Sequence, residues 1–228
     1  MITIYCFSGS GHSLTVSKAL SEMLGCTTTE ITSKTVPSAK DAIAVVVFPV
    51  YCQNIPAIVK EFLKKINAQY TVLIATYGKK SYGNVLYEAK KIVNSEVIAG
   101  AYIPIGHTFL DGDHLFDSKY LLPIAERIRR PKKADIPKTP KNPFANVFPN
   151  LRSRLGVRLT ITERCNNCKL CEKACPSGAI QNGKINSKCI RCLRCATICP
   201  QHAIEYKNRR ILNKYLHSSY KDEYVLYL

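Results

Sequence analysis

The chain has 228 residues, of which 46% are hydrophobic; that suffices for one full domain and a smaller one and excludes a disordered chain. No apolar run approaches the roughly 20 residues that cross a bilayer, and the longest, Ala42 to Val50, is strand-sized. The formal charge of +17 is uneven: residues 1–117 hold 10 basic and 9 acidic side chains, 118–160 hold 11 and 2, and 161–228 hold 12 and 5.

The chain opens on an apolar strand pattern, Met1 to Phe7, without a basic leader, and so reads as cytoplasmic. Residues Ile2 to Phe7 form the first predicted strand. Ser13 to Leu24 has helical periodicity, with Leu14, Ala19, Leu20 and Met23 on one face and Gly25 just beyond its end. Thr27 to Thr32 is a short β-branched strand. Asp41 to Val50 is continuously apolar, as expected of a central parallel strand covered on both faces. Pro56 to Ile66 is a helix, Thr71 to Thr76 a strand, Asn84 to Asn94 a helix, Val97 to Ile105 the fifth strand and Tyr120 to Arg130 a closing helix. This alternation predicts an α/β fold with a doubly wound, five-stranded parallel sheet over residues 1–130.

Residues 131–159 form a basic connector in which Pro131, Pro137, Pro140, Pro143 and Pro149 interrupt helix formation. Two readings stand at this level: a semi-rigid linker, or a loop packed on the first domain.

Residues 160–206 contain an internal repeat of 24. The run Cys165-x-x-Cys168-x-x-Cys171-x-x-x-Cys175-Pro176 recurs as Cys189-x-x-Cys192-x-x-Cys195-x-x-x-Cys199-Pro200, and Gly178-Ala179-Ile180 is echoed by His202-Ala203-Ile204. Structural zinc takes two pairs of ligands per ion, which does not match two triplets each trailed by Cys-Pro. The run is the bacterial [4Fe–4S] signature, in which three closely spaced thiolates wrap one cubane and the fourth serves the other. The expected ligands are therefore Cys165, Cys168, Cys171 and Cys199 for one cluster and Cys175, Cys189, Cys192 and Cys195 for the second. Four thiolates on an oxidised core leave about −2 per cluster, so two loaded clusters lower the net charge by about four. The segment resembles the two-cluster bacterial ferredoxins, which implies a small α+β domain.

Ser8-Gly9-Ser10-Gly11-His12-Ser13 joins the first strand to the first helix. Glycines and hydroxyls at such a turn place amide and hydroxyl donors on the positive end of a helix, where a phosphate fits. It is neither a G-x-G-x-x-G fingerprint nor a P-loop with its lysine. The loop resembles the flavodoxin phosphate loop, T/S-x-T/S-G-x-T/S/N, with Ser8, Ser10, Gly11 and Ser13 in register; His12 lies within it. The resemblance implies a flavodoxin-like domain over residues 1–130 that binds FMN between two further loops. These are Pro49-Val50-Tyr51-Cys52-Gln53-Asn54 and Thr76-Tyr77-Gly78-Lys79-Lys80-Ser81-Tyr82-Gly83. Tyr51, Tyr77 and Tyr82 are the candidate stacking residues, Trp being absent. Lys79 and Lys80 replace the acidic residues frequent in that loop, and a positive charge facing the ring would favour the reduced, anionic flavin.

The two halves together resemble the flavodoxin–ferredoxin fusion proteins of anaerobic bacteria and archaea. The resemblance implies an electron-transfer protein relaying electrons between two [4Fe–4S] clusters and FMN, and so between a low-potential donor and an acceptor. An FMN-dependent reductase of a small molecule such as a quinone, fed by its own clusters, is the alternative. No side chain stands out as an acid–base catalyst. The expected partners are redox proteins, acidic ferredoxins or a reductase, steered by the basic surface; no nucleic-acid motif is present, and an oligomer is compatible. The tail, 207–228, ends in Tyr220, Tyr224, Val225, Leu226, Tyr227 and Leu228, an apolar end expected to dock on its own chain or on a second one.

Overall fold

The computed structural model describes residues 1–110, 116–147, 149–218 and 220–228, without the side chains of 149, 150 and 152. Residues 111–115 of the expected first domain, 148 of the connector and 219 of the tail thus lie outside the described residues. The chain divides into two compact units, residues 1–144 with 220–228, and residues 145–219. These limits differ from the sequence boundaries: the first half of the connector and the end of the tail belong to the first unit.

In the first unit, strands β1 (Ile2–Cys6), β2 (Thr28–Glu30), β3 (Ile43–Pro49), β4 (Tyr70–Tyr77) and β5 (Glu96–Pro104) pair in parallel in the order 2-1-3-4-5. That order is the flavodoxin-like variant of the doubly wound sheet. Side chains alternate across it. Ile4, Cys6, Val45 and Val47 face a core completed by Val16 and Leu20 of helix α1 (His12–Leu24) and Ile124, Ala125 and Ile128 of α4 (Leu122–Arg129). Two further helices, α2 (Ala57–Leu63) and α3 (Val85–Lys90), pack on the other face. There Tyr5 meets Phe62 with ring centroids 4.8 Å apart, and the Leu86 amide donates to the Tyr102 hydroxyl at 2.9 Å.

The second unit opens with helix α5 (Pro149–Gly156) and β6 (Val157–Ile161), which pairs antiparallel with β9 (Ile204–Asn208). Between them lie helix α6 (Leu170–Ala174), the hairpin β7 (Ile180–Gln181) with β8 (Lys184–Ile185), and α7 (Arg194–Thr197). Helix α8 (Arg210–Leu216) follows β9. The small core centres on Ile180, Ile204 and Cys195. The two isoleucines stand 24 residues apart, so the sequence repeat is also a packing repeat. No helix among the described residues is long and apolar enough to cross a membrane.

Two segments were not legible as parts of the sheet layer. Tail residues Val225–Tyr227 form β10, antiparallel to β5, with Val225 opposite Tyr102 and Tyr227 opposite Gly100. The tail therefore docks on its own chain, where it covers the exposed edge of β5. Tyr224 stacks on Tyr120 at 4.3 Å and its hydroxyl donates to the Tyr120 carbonyl at 2.7 Å. The proline-rich segment is laid along the same edge region: the Ala134 amide donates to the Val97 carbonyl at 2.9 Å, and Ala134 and Ile136 are buried. Ile136 fills the space that Gly100 leaves, its Cδ1 2.6 Å from where a Cβ would be. A free linker tolerates truncation of an apolar side chain, whereas a core residue does not. Ile136→Ala should lower the unfolding free energy by about 2–4 kcal/mol in a urea titration; an unchanged midpoint would show that this segment is only a tether.

Candidate cofactor sites

The parallel strands place the carboxyl ends of β1, β3, β4 and β5 along one edge, and β1 and β3 form the switch point where such folds bind ligands. The serine-rich loop closes on itself there. The Gly11 amide donates to Ser8 Oγ at 3.1 Å, and Ser10 Oγ lies 3.3 Å from His12 Nδ1 and 3.0 Å from Thr108 Oγ1. Gly11 caps helix α1 at φ 100, a conformation only glycine adopts freely. Helix α1 has no side-chain cap and no acidic residue in its first turn, so no carboxylate opposes an anion at its positive end. Ser13 plays a different part from its neighbours. It is buried, and its hydroxyl lies 2.8 Å from Thr76 Oγ1, which ties this loop to the end of β4.

The second loop is a tight turn: Tyr51 and Asn54 exchange backbone hydrogen bonds of 3.0 and 2.9 Å, with Cys52 and Gln53 at φ 50 and 63. Val50 donates its amide to the Thr76 carbonyl at 2.8 Å, which joins the end of β3, Pro49, to the third loop. Tyr51 is half-buried and meets Phe7 edge-on at 6.4 Å.

The third loop is strapped from outside. Tyr77 is buried, its hydroxyl within 2.7 Å of the carbonyl oxygens of Lys221 and Glu223 while it accepts from the Glu223 amide at 2.9 Å. Burial holds its pKa far above the ordinary tyrosine value, so it stays a donor. Tyr82 stacks on Tyr102 at 4.0 Å, and the Lys221 ammonium lies 4.4 Å from the Tyr82 ring centre. Lys79 pairs with Asp222 at 2.8 Å, and its carbonyl accepts from the Lys221 amide at 2.7 Å. Lys80, its pKa lowered by burial, lies 4.1 Å over the Tyr220 ring. Both lysines thus engage the tail, and the charge of Lys79 is offset by Asp222. Of the three candidate stacking tyrosines, Tyr77 and Tyr82 are committed to the tail and to Tyr102.

Sequence reasoning missed a fourth contributor, the loop after β5. Besides Thr108, it brings His107 so close to Gly78 that a Cβ there would lie 2.5 Å from the imidazole Cδ2. The connector also reaches the site. The Thr139 hydroxyl donates to the Gly83 carbonyl at 2.6 Å, its amide to Asn84 Oδ1 at 2.9 Å, and the Asn142 amide to Gln53 Oε1 at 2.8 Å. No local pattern announces these partners.

In the second unit, Cys165, Cys168, Cys171 and Cys199 line one cavity, together with Asn167 and Gly183. Cys175, Cys189, Cys192 and Cys195 form the other group. In the thiol state, burial pushes Cys195 up to about 12 and Cys192 to about 11, and in each case the charges of Cys175 and Cys189 add to the shift. The two fourth cysteines are therefore exchanged between the halves of the repeat. Each also accepts an amide hydrogen bond from four residues on: Ala179 to Cys175 Sγ at 3.2 Å and Ala203 to Cys199 Sγ at 3.3 Å.

The backbone repeats as well. Asn167, Lys169 and Gly178 have φ of 58, 60 and 58, and Arg191, Leu193 and His202, each 24 residues later, have 58, 61 and 45. Each left-handed non-glycine residue costs roughly 1–2 kcal/mol. Single left-handed residues in such a loop turn successive amides to one side, the arrangement that faces an anionic sulfur cage. Four thiolates gathered this closely require cationic charge among them, and an all-cysteine donor set in this spacing fits an iron–sulfur cluster.

Residues 160–181 and 184–205 each match the model of a 4Fe-4S binding domain. The matched residues contain all eight cysteines. This segment is an iron–sulfur electron-transfer module. A search of curated proteins finds no match to the chain. Among solved structures, a putative flavoprotein from Bacteroides eggerthii aligns with a TM-score of 0.42 at 16% identity, covering 56% of this chain and 97% of its own. A second putative flavoprotein, from Bacteroides uniformis, aligns at 0.39 and 17%, covering 46% and 91%. An NAD(P)H:quinone oxidoreductase from Methanothermobacter marburgensis aligns at 0.32 and 11%, covering 57% and 93%. Likeness at this level decides neither fold nor function; the fold rests on the strand order.

The Tyr77 hydroxyl gives the strap a test. Tyr77→Phe removes the acceptor of the Glu223 amide and should cost about 1–3 kcal/mol, with hydrogen exchange accelerated at residues 221–223. Unaltered exchange there would mean that the tail is held by β10 alone.

Proposed function

We propose that the chain is an electron-transfer protein that relays electrons between two [4Fe–4S] clusters and one FMN, and so between a low-potential donor and an acceptor. The observation that carries this reading is the joining of two crossed cysteine quartets to a 2-1-3-4-5 sheet whose switch point bears a hydroxyl-rich, uncapped helix start. In this reading Cys165, Cys168, Cys171 and Cys199 hold the first cluster, and Cys175, Cys189, Cys192 and Cys195 hold the second. Ser8, Ser10, His12 and Thr108 would line the FMN phosphate site at the Gly11 turn, while Ser13 fixes their loop to Thr76. The loops Pro49–Tyr51 and Thr76–Gly83 would flank the ring, and Tyr51, half-buried beside Phe7, is the candidate stacking residue.

When bound, FMN exchanges electrons one or two at a time and each cluster exchanges one. The chain supplies position and electrostatics. The Ser10 hydroxyl donates toward the phosphate, and α1 offers its positive end. The loops, tied by Tyr77 and Thr139, are pre-ordered, so binding does not bear the entropy of arranging them. Covalent linkage of the two units keeps each at high effective concentration to the other.

Anaerobic purification with iron, sulfide and flavin quantified should return about eight irons, eight sulfides and one FMN per chain. Eight irons without flavin would reduce the reading to a ferredoxin on an α/β scaffold. Ser10→Ala should weaken FMN binding about tenfold or more, because a hydrogen bond to a charged group contributes roughly 1.5–3 kcal/mol; an unchanged dissociation constant would remove the phosphate from this loop.

A further inference from the structure

The two halves of the cysteine repeat are alike in backbone and unlike in surroundings. Around the first quartet the intervening residues are exposed, and three of the four between Cys165 and Cys171 are polar: Asn166, Asn167 and Lys169. At the matching positions of the second quartet stand Ile190, Arg191 and Leu193. Leu193 is buried, at 5% exposure, and Arg191 Nε is drawn inward to the Val157 carbonyl at 3.0 Å. The sulfurs follow the same division. Cys168 is the one exposed cysteine of the eleven, whereas Cys189 and Cys195 are buried and Cys195 is part of the unit's apolar core. Electron transfer falls off steeply with distance, so a carrier in solution reaches the first quartet first.

We propose that the loop from Cys165 to Leu170 and the adjoining face of α6 form the docking surface through which an acidic one-electron carrier protein exchanges electrons with the cluster at Cys165, Cys168, Cys171 and Cys199. The proposal rests on the iron–sulfur reading above and not on the flavin. Leu170, 46% exposed, lines the cavity with Cys168 and Cys199 and supplies an apolar centre. Lys169 and Lys173 lie one helical turn apart and are exposed, and Lys184 follows Gly183 in the hairpin beside the cavity. No carboxylate pairs with these three lysines among the described residues. The nearby carboxylate of Glu172 accepts from the Gly183 amide at 3.3 Å, and Arg164 pairs with Glu205 at 2.6 Å. The unit as a whole attracts anions: residues 145–219 hold 14 basic and 3 acidic side chains, still strongly positive after the clusters remove about four charges. That field steers an acidic carrier to the unit, and the exposed thiolate decides where on the unit it exchanges. The step is a one-electron transfer with no bond made or broken: the carrier loses one electron and the cluster gains it.

The test uses the full chain, purified anaerobically and loaded, with a purified acidic two-cluster ferredoxin as probe. The double variant K169E/K173E should weaken binding about tenfold at low salt and lose most of the salt dependence. Carbodiimide cross-linking of the unaltered chain should join carrier carboxylates to Lys169, Lys173 or Lys184. A control pair on α8, R210E/K214E, removes the same charge beside exposed Ile211 and should change binding less than about twofold. Loss confined to the α8 pair, equal loss in both pairs, or cross-links only at other lysines would overturn the docking surface. Iron counted on the same samples separates the two levels. A chain without iron defeats the cluster reading itself, whereas a full complement with unchanged binding in K169E/K173E defeats only the docking surface.

Discussion

The loops that flank the carboxyl edge of the sheet depend on hydrogen bonds from chain far away in sequence. Thr139 and Asn142 hold the loops after β4 and β3 from one direction, and Lys221 and Glu223 hold Tyr77 from another. Loops are ordinarily the least ordered parts of such a fold, and ordering a residue's backbone costs roughly 1–2 kcal/mol. Here that cost is met on folding rather than on ligand binding. The holding segments are the last of the first unit before residue 145 and the first after residue 219. The second unit is thus an insertion, attached at both ends to chain bonded to the candidate flavin loops.

The second unit depends on a different constraint. Its backbone adopts the left-handed conformation at asparagine, lysine, arginine, leucine and histidine, of which lysine, arginine and leucine have no local reason to choose it. The same positions recur at the 24-residue period, so the strain is a property of the loop shape and not of any one side chain. A core of Ile180, Ile204 and Cys195 is small for a unit of this size and offsets little of that cost. Metal–thiolate bonding would add to that stability, as in other small metal domains where site formation and folding are one equilibrium.

What the sequence disclosed follows range of interaction. The five parallel strands and four helices of the first unit were legible because each carries a local signal, a helical period or an apolar or β-branched run, and the cysteine repeat because its ligands are local. The serine-rich loop was legible by composition alone. The tail strand was not: three residues, Val225–Tyr227, are too few to show a period, and their place beside β5 is set by Tyr102, Tyr120 and the loop carbonyls. The connector left two readings because proline excludes helix equally in a tether and in a packed loop; the pocket that Gly100 leaves for Ile136 decides between them. Tyr77 and Tyr82 stood in a loop expected to face a ring, and sequence could not reveal that the tail had a prior claim on both. Thr108 was overlooked because a lone threonine after a strand carries no signal until the sheet brings it beside Ser10.

This arrangement fixes an order of assembly. Strands β1 to β5 and their helices are complete by residue 129, yet the strap on Tyr77 and the cover on β5 come from residues 220–228, which follow the whole of the second unit in the chain. Until those residues are present, β5 has a bare edge and the Tyr77 hydroxyl lacks its partners. A sheet can fold with a bare edge, as many do, but a buried hydroxyl without a partner is costly, so the third loop is the part of the first unit most altered by their absence. The candidate flavin edge therefore reaches its final form only in a chain that already contains all eight cysteines. That links completion of the candidate site in the first unit to the synthesis of the cysteine repeat.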